Sequence, residues 1–264
     1  MNKTGEEPIL SLPERHNRIL ALLQQFGSIS VAQLAERFKV SEVTIRKDLS
    51  YLEQQKKLYR THGSAILISP YISDRHVNEK EKRNVAEKRA IGAFAASLIA
   101  QDDSIIIASG TTVTFLAREI NPAGHLTAIT ASVPVTQILS QCPDVDVIQL
   151  GGITRSSSVS VVGPFAEQML RSFNCSKLFI GVDGIDTEFG LTTTNMLEAS
   201  LNGAMIDAAQ KVIVLADSSK FGRRGFSKTC YLESVDRIIT DSGVQSVYLD
   251  RLRERGIEVT VVDV

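Results

Sequence analysis

Polar residues able to bind an anion and a polyol follow four short β-branched runs in the second half of the chain. They form four sets, in chain order: Ser109, Gly110, Thr111 and Thr112; Gly151, Gly152 and Arg155; Asp183 and Asp186; Lys220. Hydroxyls, cations and the unpaired N–H groups of a helix start bind phosphate, whereas carboxylates accept hydrogen bonds from sugar hydroxyls. Together the four sets predict a site for a phosphorylated, polyhydroxylated small molecule.

Each set also has a purely structural explanation. The hydroxyl-rich stretch could cap a helix without any ligand, and Arg155 could pair with a surface carboxylate. Asp183 and Asp186 stand beside glycines, where aspartate commonly caps a turn. The two consecutive glycines, residues 151 and 152, could serve only a tight bend. We interpret Asp241 as a helix-start residue and nothing more.

A second set of cations and short polar residues lies nearer the N-terminus, in residues 41–54. Ser41 is a good helix N-cap, and the apolar residues after it recur at helical spacing. That apolar stripe consists of Ile45, Leu49 and Leu52. Thr44, Arg46 and Lys47 fall away from the stripe near the helix start, as in a recognition helix that enters a DNA major groove. A solvated helix face is the alternative reading.

The segment before this helix predicts a helix-turn-helix. Ser30 and Gln33 have the spacing of a capping box, so a helix should begin at Val31, and Lys39 and Val40 leave only a tight connection before Ser41. Residues 13–26 predict a further amphipathic helix upstream. Two short helices joined by a tight connection, the second with the polar face, are typical of DNA-binding proteins.

The segment after the helix predicts a β-hairpin over residues 58–67, with its turn at Gly63. Arg60 and His62 stand in this hairpin, where they could contact phosphates or a minor groove. The first 67 residues therefore predict a winged helix-turn-helix.

The rest of the chain alternates between short apolar runs and amphipathic stretches of helical length. The predicted strands are residues 104–107, 126–130, 145–150, 178–182, 212–215, 237–240 and 258–262. The predicted helices between them are residues 112–120, 133–140, 196–210 and 244–255. Continuous apolar strands separated by helices predict an α/β domain with a mainly parallel sheet. In such sheets ligands bind beyond the carboxyl ends of the strands, where the polar sets lie.

Composition agrees with two domains in a reducing compartment. The chain has 264 residues, of which 43% are hydrophobic, and a net charge of -1. Residues 1–65 hold ten Lys and Arg against seven Asp and Glu, so the positive charge lies in the predicted DNA-binding half. The three cysteines form no C-x-x-C pair, and no histidine set has metal-ligand spacing. No apolar run is long enough for a membrane span, and we expect a cytoplasmic protein without metal or cofactor.

The sequence resembles the DeoR family of bacterial regulators of sugar metabolism along nearly its whole length. In the N-terminal half the matching motifs are SVAQLAERFKVSEVTIRKDLSYLEQQ (30–55) and YRTHGSA (59–65). In the C-terminal half they are SGTT (109–112), LGGITR (150–155), GVDGID (181–186), LTTTNMLEASLNGAMI (191–206) and ADSSKFG (216–222). Ala108 and Ala131 replace the Asp and Asn that are usual in the family, and Ser64 replaces a second glycine of the wing turn.

The resemblance implies a winged helix-turn-helix over residues 12–67, a connector over residues 68–87 and an effector-binding domain over residues 88–264, similar in fold to ribose-5-phosphate isomerase. It implies that the hydroxyl set and Lys220 surround the effector's phosphate, and that Asp183 and Asp186 face its hydroxyls. The expected partners are double-stranded operator DNA, a phosphorylated sugar and further copies of the chain in a dimer or tetramer.

Two functions fit these residues. The first is a transcriptional regulator, most simply a repressor of a carbohydrate-utilisation operon, whose DNA affinity responds to a sugar phosphate. The second is a sugar-phosphate isomerase with a DNA-binding appendage, which would need a base beside the substrate carbonyl. Glu198 is the only candidate base in residues 187–200, and a structural role explains it at least as well. We therefore predict a regulator without catalytic residues.

Overall fold

The chain folds into two units in a computed structural model that describes residues 11–26, 28–55, 57–61, 64–67 and 76–264. The N-terminal unit is Met1–Ser69 and the C-terminal unit is Pro70–Val264. The finer division into residues 12–67, 68–87 and 88–264 stays a prediction.

The N-terminal unit combines helices with a small antiparallel sheet. Its described elements are α1 Leu12–Phe26, β1 Ser28–Ser30, α2 Val31–Phe38, α3 Glu42–Gln54, β2 Leu58–Thr61 and β3 Ser64–Leu67. The strands lie in the order β1-β3-β2, and β2 and β3 form the predicted hairpin. The winged helix-turn-helix is therefore confirmed.

Two serine N-caps fix where the two helices of the helix-turn-helix begin. At α2, the Gln33 N–H donates to Ser30 Oγ at 3.1 Å, and the Ser30 N–H donates back to Gln33 Oε1 at 3.0 Å. At α3, the Thr44 N–H donates to Ser41 Oγ at 3.2 Å. Between the helices Lys39 has a φ of 53°, which ends α2 and turns the chain. The predicted capping box is thus confirmed, and it fixes where α2 begins.

The apolar faces predicted for the three helices meet in one core. Its buried members are Ile19, Leu23, Ile29, Val31, Leu34, Ile45, Leu49, Leu52, Leu58 and Ala65. Because α3 buries its apolar stripe in this core, its other side is left to solvent.

The C-terminal unit is larger and alternates strands with helices. Its helices are α4 Val77–Glu81, α5 Val85–Ala96, α6 Thr111–Glu119, α7 Val133–Leu139, α8 Pro164–Leu170, α9 Met196–Asp207 and α10 Ser246–Glu254. The strands of its first half are β4 Ser104–Ile107, β5 Leu126–Thr130, β6 Val145–Gln149, β7 Ile153–Arg155, β8 Ser160–Val162 and β9 Lys177–Gly181. Those of its second half are β10 Gly184–Asp186, β11 Gly190–Thr193, β12 Val212–Leu215, β13 Ser227–Cys230, β14 Arg237–Asp241 and β15 Glu258–Val262.

Seven of these strands form one parallel sheet in the order β15-β14-β12-β9-β4-β5-β6. They are the seven strands predicted from the sequence, each within one residue of its predicted ends. The chain runs outward from β4 through β5 to β6, then returns to the other side of β4 as β9. The carboxyl ends of β4 and β9 therefore flank the point where strand order reverses, which is the usual ligand site of such sheets.

Both faces of the sheet are covered by apolar layers, as expected for a parallel sheet. In β4, Ile105 and Ile107 belong to a layer shared with α5, α6 and α7, whereas Ile106 belongs to a layer shared with α8, α9 and α10. Ala108 and Ala131, which replace the Asp and Asn usual in the resembled family, are buried in the same layer as Ile106.

Several short elements were not predicted because they are too short to show a period. They are the hairpin of β7 and β8, the small antiparallel sheet β10-β11-β13, α8 and a 3₁₀ turn over Ser218–Lys220. β7, β10 and the 3₁₀ turn each come directly after a strand of the large sheet, at its carboxyl edge.

Within the described ranges, no helix has the length and apolar character that a membrane crossing requires. Cys142, Cys175 and Cys230 are all free thiols.

Candidate functional site

Helix α3 presents an accessible polar face beside its buried apolar stripe. Around a shallow hollow on this face lie Val43, Arg46, Lys47, Ser50, Tyr51 and Gln54. Ser41 is exposed, Thr44 is half-buried, and their hydroxyls lie 2.9 Å apart. The residues predicted to enter a DNA groove are therefore accessible at the start of α3, as a recognition helix requires.

The two cations of this face differ in their contacts. Arg46 Nη2 donates to Glu42 Oε2 at 2.7 Å, in a pair whose side chains are 55% and 47% exposed. An exposed pair of this kind contributes about 0.3–0.5 kcal/mol, so Arg46 can exchange Glu42 for another acceptor at little cost. Lys47 is exposed and makes no hydrogen bond or ion pair with the residues that the structure describes.

The predicted wing lies beside the C-terminal half of α3. The Arg60 guanidinium donates to Ser50 Oγ, and the Arg60 N–H donates to Glu53 Oε1 at 2.9 Å. These contacts hold β2 against α3 while Arg60 stays exposed. His62 lies outside the described residues, so its DNA contact stays a prediction.

A buried ion-pair network behind α3 was missed from the sequence. Asp48 is 3% exposed and accepts from Arg15 Nε at 2.6 Å and Arg15 Nη2 at 3.0 Å. His16 Nε2 lies 3.1 Å from the same carboxylate, and the His16 ring stacks on Tyr51. The network fastens α1 to α3. The acidic residue of the TIRKDL motif was visible, but its partners 33 and 32 positions upstream carried no spacing signal.

The second candidate site is a polar cleft at the switch point between β4 and β9. Its lining comprises Val77, Lys80, Ser109, Gly110, Thr111, Thr112, Ser157, Ser158, Gly181, Val182, Asp183, Thr193, Glu198, Asn202 and Lys220. Six of the predicted effector-binding residues are brought together here: Ser109, Gly110, Thr111, Thr112, Asp183 and Lys220.

The N-terminus of α6 forms one wall of the cleft. Gly110 has a φ of 135°, a conformation that side-chain-bearing residues rarely adopt. The first turn of a helix leaves backbone N–H groups without helical acceptors. The hydroxyls of Ser109, Thr111 and Thr112 make no hydrogen bond to any described residue. This wall therefore offers several donors to an anion.

Lys220 adds a cation to the same cleft. Burial lowers the pKa of Lys220 below its ordinary value, against the opposing effect of the carboxylates of Asp217 and Asp183. Its ammonium makes no hydrogen bond or ion pair within the described ranges. An anion in the cleft would favour the charged ammonium, as the site of a phosphate requires.

Two buried aspartates hold the turn that carries Lys220. Asp217 Oδ1 accepts from the Ser219 N–H at 3.1 Å and from Asn84 Nδ2 at 2.8 Å. Asp241 Oδ1 accepts from the Ser218 N–H at 2.6 Å. Asp241 was interpreted only as a helix-start residue, whereas the structure shows that it positions the turn beside the cleft.

Asp183 is the predicted carboxylate that does face the cleft. Its Oδ1 accepts from Lys80 Nζ at 2.8 Å, and its Oδ2 accepts from the Thr193 hydroxyl at 3.1 Å. Burial acts to raise the pKa of Asp183, but the ammonium groups of Lys80 and Lys220 outweigh it, and the pKa lies below its ordinary value. Asp183 is therefore an anionic acceptor between two cations.

Four predicted residues lie outside the cleft lining. Asp186 is 1% exposed and accepts from Arg224 Nε at 2.7 Å and from the Phe189 N–H at 2.7 Å. The turn-capping alternative thus describes Asp186. Gly151 and Gly152 are exposed, and Gly152 has a φ of 151° with no room for a Cβ beside the Val162 carbonyl. The tight-bend alternative describes Gly152 in the same way.

Arg155 reaches the cleft through a partner. Its Nη1 lies 2.5 Å from Glu198 Oε1, and both side chains are nearly buried, at 12% and 11% exposure. The carboxylate that Arg155 contacts is thus a nearly buried one, and it is Glu198 that lines the cleft. Lys80 and Asn202 are further lining residues that the sequence did not indicate, since neither follows a strand.

Comparisons with known proteins match the two units to two known domain families. Residues 15–71 match the family described as "DeoR-like helix-turn-helix domain", and residues 83–242 match the family described as "DeoR C terminal sensor domain". The HTH-type transcriptional regulator YulB of Bacillus subtilis is 38% identical over 94% of this chain and 96% of its own length. A putative aga operon transcriptional repressor of Escherichia coli O157:H7 is 36% identical over 98% and 97%. A lactose phosphotransferase system repressor of Streptococcus mutans is 36% identical over 86% and 91%.

Solved structures similar to the chain include ribose 5-phosphate isomerase A of Neisseria gonorrhoeae, with a TM-score of 0.36 and 16% identity over 51% of this chain and 52% of that chain. A likeness this weak carries no argument about activity. The family matches span the exposed helix α3 and nearly all of the cleft lining. The chain therefore belongs to the DeoR family, with a helix-turn-helix domain followed by a sensor domain.

Proposed function

We propose that this chain is a sequence-specific DNA-binding repressor of a carbohydrate-utilisation operon, and that a phosphorylated sugar in its C-terminal unit modulates its DNA affinity. The observation that carries the proposal is that one chain has both an exposed cationic face on α3 and a cleft with anion-binding groups at the point where the strand order of the sheet reverses. The relatives named as repressors of the aga operon and the lactose phosphotransferase system support the assignment to sugar genes.

The proposed division of labour follows the predicted bounds. Residues 12–67 bind operator DNA, residues 88–264 bind the effector, and residues 68–87 connect them. We propose Ser41, Thr44, Arg46, Lys47, Arg60 and His62 as the DNA-contacting residues. For the effector's phosphate we propose Ser109, Gly110, Thr111, Thr112 and Lys220, with Asp183 accepting a hydrogen bond from a hydroxyl.

We propose that the cleft binds its ligand without converting it. The isomerase alternative needs Glu198 as a base, but that carboxylate already contacts Arg155 at 2.5 Å and accepts from the Thr193 hydroxyl at 3.2 Å. We further propose that the chain acts as a cytoplasmic homo-oligomer, because two copies of α3 double the contacts with a two-fold operator.

Fluorescence anisotropy with DNA from upstream of the chain's own gene tests the DNA half of the proposal. Arg46→Ala should weaken binding and change the base preference, whereas Lys47→Ala should weaken binding uniformly and reduce the salt slope by about one. The control is Arg253→Ala, which removes one exposed positive charge from α10 in the other unit. If the Arg46 and Lys47 variants both bind like the control, α3 is not the recognition helix.

Thermal shift with a panel of phosphorylated sugars tests the effector half. The parent chain should be stabilised by at least one of them, and Lys220→Ala should lose that stabilisation. The stabilising sugar phosphate should then change DNA affinity in the anisotropy assay. A panel without any stabilising member would contradict the effector assignment and leave the DNA-binding assignment standing.

A further inference from the structure

Helix α9 contributes two polar side chains to the cleft that the proposed phosphate contacts do not use. Glu198 and Asn202 are four residues apart, so they lie on one face of the helix, and both line the cleft. They lie in the same cleft as the α6 N-terminus and Lys220, but their chemistry is different. One is an anion and the other is a neutral amide.

Asn202 is 8% exposed and lines the cleft. It makes no hydrogen bond to any residue that the structure describes. An amide has two donor hydrogens and an acceptor oxygen, and those of Asn202 are open to a ligand in the cleft. A side chain of this kind on the wall of a ligand cleft is explained when the ligand supplies the missing partners.

The carboxylate of Glu198 is short of donors as well. The Thr193 hydroxyl lies 3.2 Å from Glu198 Oε2 and 3.1 Å from Asp183 Oδ2. A hydroxyl has a single hydrogen, so it cannot serve both carboxylates fully. Asp183 has Lys80 as a further donor at 2.8 Å, whereas Arg155 is the further partner of Glu198. Glu198 Oε2 therefore keeps capacity to accept from a ligand.

The charges divide the cleft into two regions. Lys220 and the N–H groups at the start of α6 attract an anion, while the negative charge of Glu198 opposes one. The α9 wall is consequently suited to the neutral, hydroxyl-bearing part of the ligand, where carboxylate and amide groups form directional hydrogen bonds.

We propose that Glu198 and Asn202 determine which sugar phosphate the cleft accepts, by binding hydroxyls of the sugar remote from its phosphate. The ligand class is a sugar phosphate with at least two hydroxyls that can reach α9. This inference rests on the proposed function, because it assumes that the cleft binds a sugar phosphate. It adds that selectivity among such ligands lies on α9, while affinity for the phosphate lies at α6 and Lys220.

Isothermal titration calorimetry on the full chain tests the inference with three kinds of probe. These are inorganic phosphate, the sugar phosphate that binds the parent best, and the epimers and deoxy analogues of that sugar phosphate. The variants are Glu198→Gln and Asn202→Ala. Glu254→Gln on the exposed side of α10 is the control for the loss of one carboxylate.

Both α9 variants should reduce the ratio of dissociation constants between epimer and preferred sugar about tenfold, because a hydrogen-bonding site rejects analogues that leave its groups unpaired. The affinity of Asn202→Ala for inorganic phosphate should stay within about twofold of the parent, and that of Glu198→Gln should be equal or higher because a negative charge is removed, whereas Lys220→Ala should weaken every phosphorylated probe. The control should match the parent throughout.

Two results would overturn the inference alone. One is an unchanged ratio between epimer and preferred sugar in both α9 variants. The other is an equal loss of affinity for inorganic phosphate and for every sugar phosphate, which would show that α9 only supports the cleft. If the parent binds no sugar phosphate at all, the effector half of the proposed function fails and this inference fails with it.

Discussion

Replacing Asp48 by asparagine should destabilise the N-terminal unit strongly, although Asp48 does not reach the exposed face of α3. The substitution keeps the size of the side chain and removes the charge that holds Arg15 at 2.6 and 3.0 Å. Arg15 is 8% exposed, so its guanidinium would remain buried without a counter-charge. Breaking a buried pair by removing one partner costs about 3–5 kcal/mol.

The lower end of that range applies here, since an asparagine oxygen can still accept from Arg15. A loss of about 3 kcal/mol changes the ratio of folded to unfolded molecules by roughly a hundredfold. The matched control is Glu42→Gln, which removes a carboxylate from the same helix. Its partner Arg46 is 55% exposed, so the expected cost is about 0.3–0.5 kcal/mol.

Hydrogen exchange followed by mass spectrometry separates the two units, because peptides from α1 and α3 report on one and peptides from β4 and β9 on the other. Asp48→Asn should reduce protection in α1 and α3, leave the large sheet unchanged, and weaken DNA binding through loss of folded α3. Equal protection of α1 and α3 in the Asp48 and Glu42 variants would refute the reasoning, as would an equal loss in the large sheet.

The remaining predictions concern the C-terminal unit. Burial lowers the pKa of Lys88 from 10.5 to about 8, so between these values the unfolded chain holds a proton that the folded chain has lost. The free energy of unfolding of the parent should therefore rise with pH across that window, relative to that of Lys88→Met. Chemical denaturation followed by circular dichroism measures both, and parallel pH profiles of the two proteins would contradict the prediction. Gly92→Ala places a Cβ 2.7 Å from a backbone nitrogen of α6 and should destabilise the unit by about 1–3 kcal/mol in the same assay. Gly203→Ala, with nothing within 4 Å, is its control and should stabilise α9 by about 0.5–1 kcal/mol; an equal change in both variants would exclude tight packing at Gly92.

Local sequence patterns were sufficient for the helix-turn-helix and for the strands of the large sheet. The capping box at Ser30 and the N-cap at Ser41 act through contacts three residues away, so they could be predicted from spacing alone. The seven strands of the large sheet are continuous apolar runs because both sheet faces are buried, and such runs are visible without any partner. The rule that ligands bind beyond parallel strand ends then placed Ser109, Gly110 and Asp183 at the cleft.

Only the tertiary structure decided which polar residues share a site, because ion pairs and cleft walls join positions far apart in the chain. Asp183 and Asp186 stand three residues apart in one motif, yet the first faces the cleft beside Lys80 and the second is buried against Arg224. Nothing in their spacing distinguishes them. They differ because Asp183 precedes β10 whereas Asp186 is its last residue. The partners of Asp48 and the place of Asn202 in the cleft were hidden for the same physical reason. A sequence pattern records the period of one element, whereas an ion pair or a cleft depends on how separate elements pack.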